Sequence, residues 1–165
     1  MATARLLIEE IRRELDSVEQ EIRGHPYLAE LEAGRVRRED LRLFAGEQYH
    51  IIRSDLRSVA LLVNRFGATP SGPFFQAVLG GEAAALEALR AFASAVGMDE
   101  AQLQAYEPAP GAQAYPAFMA WLALYGSDAE VAAGFLVNFQ AWGANCGRMS
   151  RALQARYGLS AKDTA

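Results

Sequence analysis

The chain has 165 residues, of which 52% are hydrophobic, and a formal net charge of −4. This length suits one domain over residues 1–165 with a single core. Its apolar runs are all shorter than the roughly 18 residues that a membrane span requires. The single Cys146 excludes an internal disulfide, and the negative charge argues against nucleic acid as a partner, because phosphate binding needs a basic surface.

The N-terminal stretch MATARLLIEEIRREL alternates charged residues with leucine and isoleucine. A signal peptide would instead have an apolar centre followed by small residues at a cleavage site. We therefore expect a cytoplasmic protein with no membrane partner.

Apolar residues recur at spacings of three and four along most of the chain, which is the pattern of amphipathic helices. The predicted helices cover residues 3–23, a short YLAELEAG segment ended by Gly34, 38–66, 74–96, a short segment from Asp99 to Tyr106, 113–125 and 128–157. No stretch alternates as a strand would. The sequence therefore predicts an all-α, multi-helix bundle of about six helices.

Several local signals mark where these helices begin and end. Asp99 is a predicted N-cap, and Ser127 with Glu130 forms a predicted capping box. Gly158 is the predicted stop of the last long helix. The EPAPGAQ segment between the short helix and residue 113 is predicted to be a loop.

Two glycine pairs interrupt predicted helices. Gly80 and Gly81 predict either a kink or close helix packing. Gly143 and Gly147 lie one turn apart, where they would permit close packing or the approach of a flat ligand to the backbone.

The last residues, AKDTA, have the pattern of a helix cap and first turn. We expect a further helix to follow, so that the chain is either truncated at its C-terminus or unusually short.

Aromatic residues form two stripes at helical spacing. Most of them are predicted to be core, because an antiparallel helix pair buries such stripes. The stripes comprise Tyr115, Phe118, Trp121 and Tyr125 in one helix and Phe135, Phe139 and Trp142 in the next.

The segment GEQYHIIRS carries one of only two histidines in the chain. Glu47 and His50 stand three residues apart, so a helix would place them on one face. They could be half of a metal site, the wall of a ligand pocket, or a hydrogen-bonded pair in the core. Nearby, Arg53, Asp55 and Arg57 are predicted to form a surface ion-pair set, although Asp55 could share the face of Glu47.

Two longer patterns bear a family resemblance. HPYLAELEAGRVRREDLRLFAGEQYHI and AYPAFMAWLALYGSDAEVAAGFLVNFQAWGANCGRMSRAL resemble the TenA/thiaminase II and PqqC-like branch of the heme-oxygenase-like fold. The resemblance spans most of residues 1–160. It implies a heme-oxygenase-like helical bundle with a central pocket for a small molecule, and a homo-oligomeric protein.

The catalytic residues of the thiaminase branch do not carry over. The resemblance implies an aspartate where this chain has Gln48, and a Pro-Cys nucleophile where it has Asn138 and Phe139. A tyrosine one turn later is replaced by Gly143, and the family's catalytic glutamate lies on a terminal helix outside these residues. Cys146 lies two turns beyond the nucleophile position. The covalent mechanism therefore lacks its nucleophile and activating carboxylate.

Three alternatives to a ligand pocket remain open. A non-heme diiron oxidase would use Glu47 and His50, with further ligands from elsewhere. Heme would use His25, although its position before a short helix favours a cap. A scaffold or interaction protein would instead have lost its catalytic set and would cover apolar surface with a partner subunit.

The favoured hypothesis is a TenA/PqqC-like small-molecule-binding protein or divergent enzyme without the thiaminase nucleophile. Its ligand would be a small heteroaromatic ring, and no resident cofactor is expected. The predicted pocket lining consists of Glu47, Gln48, His50, Asn138, Phe139, Trp142 and Asn145.

Overall fold

The computed structural model describes residues 2–164 and, apart from Ala2 and Val137, their side chains. Seven α-helices follow one another in this range: α1 (Ala2–Arg23), α2 (Pro26–Glu32), α3 (Leu41–Phe66), α4 (Gly72–Ala95), α5 (Glu100–Ala105), α6 (Pro110–Tyr125) and α7 (Asp128–Tyr157). Short 3₁₀ turns cover Arg38–Asp40 and Ala161–Thr164. The described residues contain no strand, so the predicted all-α bundle is confirmed.

The predicted helix ends agree with the structure where side chains form them. Asp99 and Ser127 cap α5 and α7 through capping boxes, and the Ser127 amide donates to Glu130 at 2.8 Å. Gly158 ends α7 with a φ of 69°, a left-handed conformation that favours glycine. Helix α6 begins at Pro110 rather than at the predicted residue 113. Proline fits this first turn because the amide hydrogen that it lacks would have no partner within the helix there.

The central helix of the bundle is α3, which packs against both α4 and α6. Its buried residues belong to two separate apolar clusters. The first surrounds Tyr49 and Ile52 and includes residues of α2, α4, α5 and α7. The second surrounds Val59 and Leu62 and includes Phe75 and residues of α4, α6 and α7. A break in the apolar core therefore lies near the middle of α3.

The aromatic stripe of α6 is not core, contrary to the prediction. Phe118, Trp121 and Tyr125 expose 58%, 54% and 71% of their surface. Instead, α6 buries the smaller face formed by Met119 and Ala123. The adjacent rings of Phe118 and Trp121 stack with centroids 6.1 Å apart, so the stripe is a continuous exposed aromatic surface.

The glycine pairs do not mark close helix packing. A Cβ added at Gly80, Gly81 or Gly143 would meet no atom within 4 Å. At Gly147 the nearest atom would be a guanidinium nitrogen of Arg151 at 3.5 Å.

Among the helices described, none is long and apolar enough to cross a membrane.

Gly46 in α3 is the glycine whose lack of a side chain matters for packing. It is buried, and the ring of Tyr106 lies directly over it. The hydroxyl of the same tyrosine donates to Glu47 at 2.8 Å. The segment between α5 and α6 is thereby fixed on α3.

We predict opposite effects from two glycine substitutions. Gly46→Ala would displace the Tyr106 ring and should lower the free energy of unfolding by about 1–3 kcal/mol, the usual cost of overpacking. Gly80→Ala, at an exposed helical position with free space, should raise it by about 0.5–1 kcal/mol. Urea denaturation of both variants measures the difference, and an equal response at the two sites would contradict this packing.

Candidate functional site

A cavity of about 460 Å³ lies beside the first apolar cluster, whose residues Ile52, Leu89 and Phe92 line it. Residues of α3, α4, α6 and α7 line it, with the C-terminal 3₁₀ turn at one side. Aliphatic and aromatic side chains cover most of its wall. The polar groups that line it are Gln48, Asp55, Glu82, Tyr115, Asn138, Cys146, Ser150, Asp163 and Thr164.

Four of the seven predicted pocket residues line this cavity. Gln48 lies on the α3 face that also carries Ile51, Ile52 and Asp55. Asn138, Phe139 and Trp142 line it from α7. Phe139 and Trp142 expose 38% and 39% of their surface, so they lie where the cavity meets solvent.

Glu47 and His50 lie on the neighbouring face of α3 and do not line the cavity. The Glu47 carboxylate accepts hydrogen bonds from the Tyr106 hydroxyl and, at 3.0 Å, from the Ala109 amide. The His50 ring lies against Tyr49 and Tyr106, with centroid distances of 5.5 and 6.3 Å. One residue along a helix is a rotation of about 100°, which separates this face from that of Gln48.

Asn145 is the third predicted residue outside the cavity. It is buried, and its Nδ2 donates to the Ile22 carbonyl at 3.0 Å, which satisfies an acceptor at the C-terminal end of α1. Its contact therefore holds α1 on α7.

Within residues 2–164 the metal alternatives find no further ligands. Among the described residues no group of three or more histidine, cysteine, aspartate or glutamate side chains could hold a metal ion. His25 is exposed and caps α2, with its Nδ1 accepting from the Tyr27 amide at 3.2 Å. The cap interpretation of His25 is confirmed.

The main functional candidate that the sequence analysis missed is Asp55. It was predicted to be part of a surface ion-pair set, but it is only 4% exposed and lines the cavity. Its predicted partner Arg53 instead contacts Tyr49, with a guanidinium nitrogen 3.3 Å from the hydroxyl. The sequence did contain a signal for this position, because Asp55 lies on the same helical face as the apolar residues Ile51 and Ile52. The neighbouring arginines favoured the ion-pair interpretation instead.

Glu82 of α4 and Tyr115 of α6 approach the same region as Asp55. Burial raises the pKa of Asp55 to about 7, the negative charge of Glu82 adds to that increase, and a hydrogen bond from the Tyr115 hydroxyl opposes it. Burial also raises the pKa values of Glu82 and Tyr115. At neutral pH Asp55 can therefore both accept and donate a proton.

Cys146 also lines the cavity, from α7. Burial raises the pKa of its thiol. Since the thiolate is the nucleophilic form of cysteine, this environment keeps the side chain in its less reactive state.

Comparison with known families and structures identifies the architecture. The sequence model of the TENA/THI-4/PQQC family matches residues 12–162. A TenA homologue from P. horikoshii OT3 is 16% identical with a TM-score of 0.75, covering 94% of this chain and 72% of its own. A TenA homologue from Pyrococcus furiosus is 20% identical with a TM-score of 0.69, covering 90% of this chain and 68% of its own.

A third solved structure carries the fold name. It is a domain of unknown function with a heme oxygenase-like fold from Shewanella denitrificans OS217, 15% identical with a TM-score of 0.76. The alignment covers 94% of this chain and 68% of that one. No curated protein matches the sequence. The predicted heme-oxygenase-like bundle is confirmed.

The buried Asp55 predicts an unusual dependence of stability on pH. Its pKa is higher in the folded chain than the ordinary value of 3.8, so the folded state holds the proton more tightly. This contribution is complete below pH 3.8 and is lost as the pH rises to about 7. Asp55→Asn removes the ionisation, and its stability relative to the wild type should rise over this range by on the order of 2–4 kcal/mol.

Chemical denaturation of both proteins at several pH values between 4 and 8 measures this difference. Asp40→Asn is the control, because Arg37 lowers the pKa of that partly exposed carboxylate and the pH trend should not have the same sign. A difference between Asp55→Asn and the wild type that stays constant with pH would contradict the burial of an ionisable Asp55.

Proposed function

Because the chain belongs to the TENA/THI-4/PQQC family, we propose that it binds a small planar organic molecule in the cavity between α3, α4, α6 and α7. The observation that carries the proposal is the cavity itself, whose volume of about 460 Å³ falls in the range of small-molecule sites. An engineered apolar cavity of about 150 Å³ holds a benzene ring, so this one has room for a substituted ring system.

The chemistry of the wall supports a flat, heteroatom-bearing ligand. Phe139 and Trp142 offer ring faces for stacking, and Gln48 and Asn138 offer neutral hydrogen bonds. Asp55 adds a proton donor and acceptor to this wall. Few polar groups in a largely apolar wall are what orient a ligand in such sites.

The proposed role does not include the thiaminase reaction. Gln48, Asn138 and Phe139 stand at positions where the family resemblance implies an aspartate and a Pro-Cys pair. Cys146 lies in the cavity, but its raised pKa disfavours the thiolate. A ligand in this site therefore meets acid-base groups and hydrogen-bonding groups rather than an activated nucleophile.

A cavity-filling substitution tests the proposed site. Ala88 lines the cavity from α4, whereas Ala83 is exposed on another face of the same helix. In a thermal-shift screen of one- and two-ring aromatic compounds, we expect at least one ring class to raise the Tm of the wild type, because a native-state ligand adds stability. Ala88→Trp should abolish that shift and Ala83→Trp should keep it.

Two results would contradict this proposal. One is a panel without any stabilising compound. The other is a stabilising compound whose effect survives Ala88→Trp, since that ligand would bind elsewhere.

Self-association is a second candidate role, and the exposed aromatic stripe of α6 favours it. Phe118, Trp121 and Tyr125 form one connected surface, with Trp121 and Tyr125 ring centroids 5.9 Å apart. Exposed apolar surface of this kind is typical of an interface. The predicted homo-oligomer would use it to contact a second copy of the chain.

Sedimentation velocity tests this role. We expect the wild type to sediment as a dimer or larger species, and Trp121→Lys to shift it toward the monomer by placing a charge in the contact. Gln113→Lys, at an exposed α6 position outside the stripe, is the control. A monomeric wild type, or a Trp121→Lys variant that associates equally well, would exclude the stripe as the interface.

A further inference from the structure

The segment that leads from α5 into α6 has little packing of its own. The structure describes all of residues 104–115, and none of them is buried, although Leu103 and Pro116 on either side are. The buried residues of α6 begin only at Pro116. A region with few buried apolar contacts opens at a lower cost in free energy than the rest of a domain. We call residues 106–115 the flap.

The flap forms one side of the cavity. Gly111, Ala112 and Tyr115 line the cavity from this segment. A hydrogen bond joins the Tyr115 hydroxyl to Asp55 at the end of the flap that is close to the buried part of α6. The position of the other end, and with it the shape of this wall, depends on what holds Tyr106 and the residues after it.

One carboxylate of α3 holds that other end. Oε1 of Glu47 accepts hydrogen bonds from the Tyr106 hydroxyl at 2.8 Å and from the Ala109 amide at 3.0 Å. Within the described residues, no further hydrogen bond joins residues 106–112 to α3, α4 or α7. Hydrogen bonds to a charged acceptor are stronger than those between neutral groups. Glu47 is therefore the main attachment of the free end of the flap.

The surroundings of Glu47 suit this contact. Gly46 leaves room for the Tyr106 ring on α3. Burial, and then the hydrogen bond to Glu47, raise the pKa of Tyr106 to about 12, so its hydroxyl keeps its proton and stays a donor. Ala109 is the N-cap of α6 and has no side chain that can accept from the helix. A carboxylate from another helix stabilises this N-terminus instead.

We propose that Glu47 is a positioning residue that holds the flap closed, and that opening of the flap sets the size of the molecules that reach the cavity. The cavity also meets solvent at Phe139 and Trp142, so a small molecule can enter while the flap is closed. A larger molecule needs the flap to move. The proposal rests on the proposed function, because it concerns admission to the same cavity, and it gives a role there to a residue that does not line it.

The single cysteine of the chain is a reporter for this motion, because Cys146 lines the cavity. N-ethylmaleimide and N-pyrenylmaleimide carry the same reactive group and differ in size. The rate at which each reagent modifies Cys146 is measured at one pH and divided by its rate with a small free thiol. In the wild type we expect the corrected rate to be lower for the pyrenyl reagent than for the ethyl reagent.

Glu47→Ala removes the acceptor of both hydrogen bonds, so the flap should open more often. We expect the pyrenyl rate to rise by about tenfold or more, since two bonds to a charged group are lost. The ethyl rate should change much less, so the ratio of the two rates should rise. Hydrogen exchange should become faster in the flap and stay unchanged in α7, which distinguishes local opening from general loss of stability.

Three further variants complete the test. Glu47→Gln keeps a side-chain oxygen that can accept from both donors, so it should retain the wild-type ratio. Tyr106→Phe keeps the ring over Gly46 and loses one of the two bonds, so it should give a smaller rise than Glu47→Ala. Glu87→Ala is the control, because Glu87 is exposed on α4, contacts Arg90 and lies outside the cavity.

An unchanged ratio of rates in Glu47→Ala and Tyr106→Phe would overturn the proposal. An equal rise in Glu47→Gln or in Glu87→Ala would do the same, as would faster exchange throughout α7. The test follows a covalent reaction of Cys146 and uses no ligand. Its failure therefore leaves the proposed small-molecule site standing, and an aromatic panel without a stabilising compound would count against that site and not against the role of Glu47 in holding the flap.

Discussion

The arrangement on which the rest of the structure depends is the burial of Asp55 between two apolar clusters. Along α3, Ile52 belongs to one cluster and Val59 to the other, and Asp55 lies between them. A continuous apolar core would exclude a carboxyl group at this depth unless it had a partner. Here the core opens into a cavity instead. The cavity forgoes the stability that closer packing would give and leaves a space that a ligand can fill.

The two helices that face Asp55 also carry a polar residue among their buried apolar residues. Opposite Asp55, α4 carries Glu82 between its buried residues Val78 and Leu89, and α6 carries Tyr115 before its buried Met119. Each of the three helices thus changes from apolar to polar at one level. We interpret this layer as a functional feature, because ionisable groups with raised pKa values in a cavity are typical of binding and catalytic sites.

The sequence was sufficient for the fold and for part of the cavity. Amphipathic spacing and capping residues such as Ser127 are local signals, so they placed the helices and the family pattern placed α7 against the pocket. The sequence did not predict features that depend on which neighbouring helix a side chain contacts. The residues around Asp55 do not show whether an arginine or a cavity lies beside its carboxyl group. In the same way, the spacing of Trp121 fits a buried stripe until the packed face of α6 is known. Glu47 lies one residue, or about 100° of helix rotation, from the face of Gln48 that lines the cavity, and residue spacing alone does not resolve this difference.

The most direct test of this account is a carbon-13 NMR titration of the Asp55 side-chain carboxyl, assigned by its absence in Asp55→Asn. The account predicts a midpoint about 7 for the wild type without ligand, because burial and the charge of Glu82 both favour the protonated form. A midpoint near 4, the value of a solvated aspartate, would contradict it. In that case Asp55 would be a hydrated surface group, and the cavity would lose the feature that defines its chemistry.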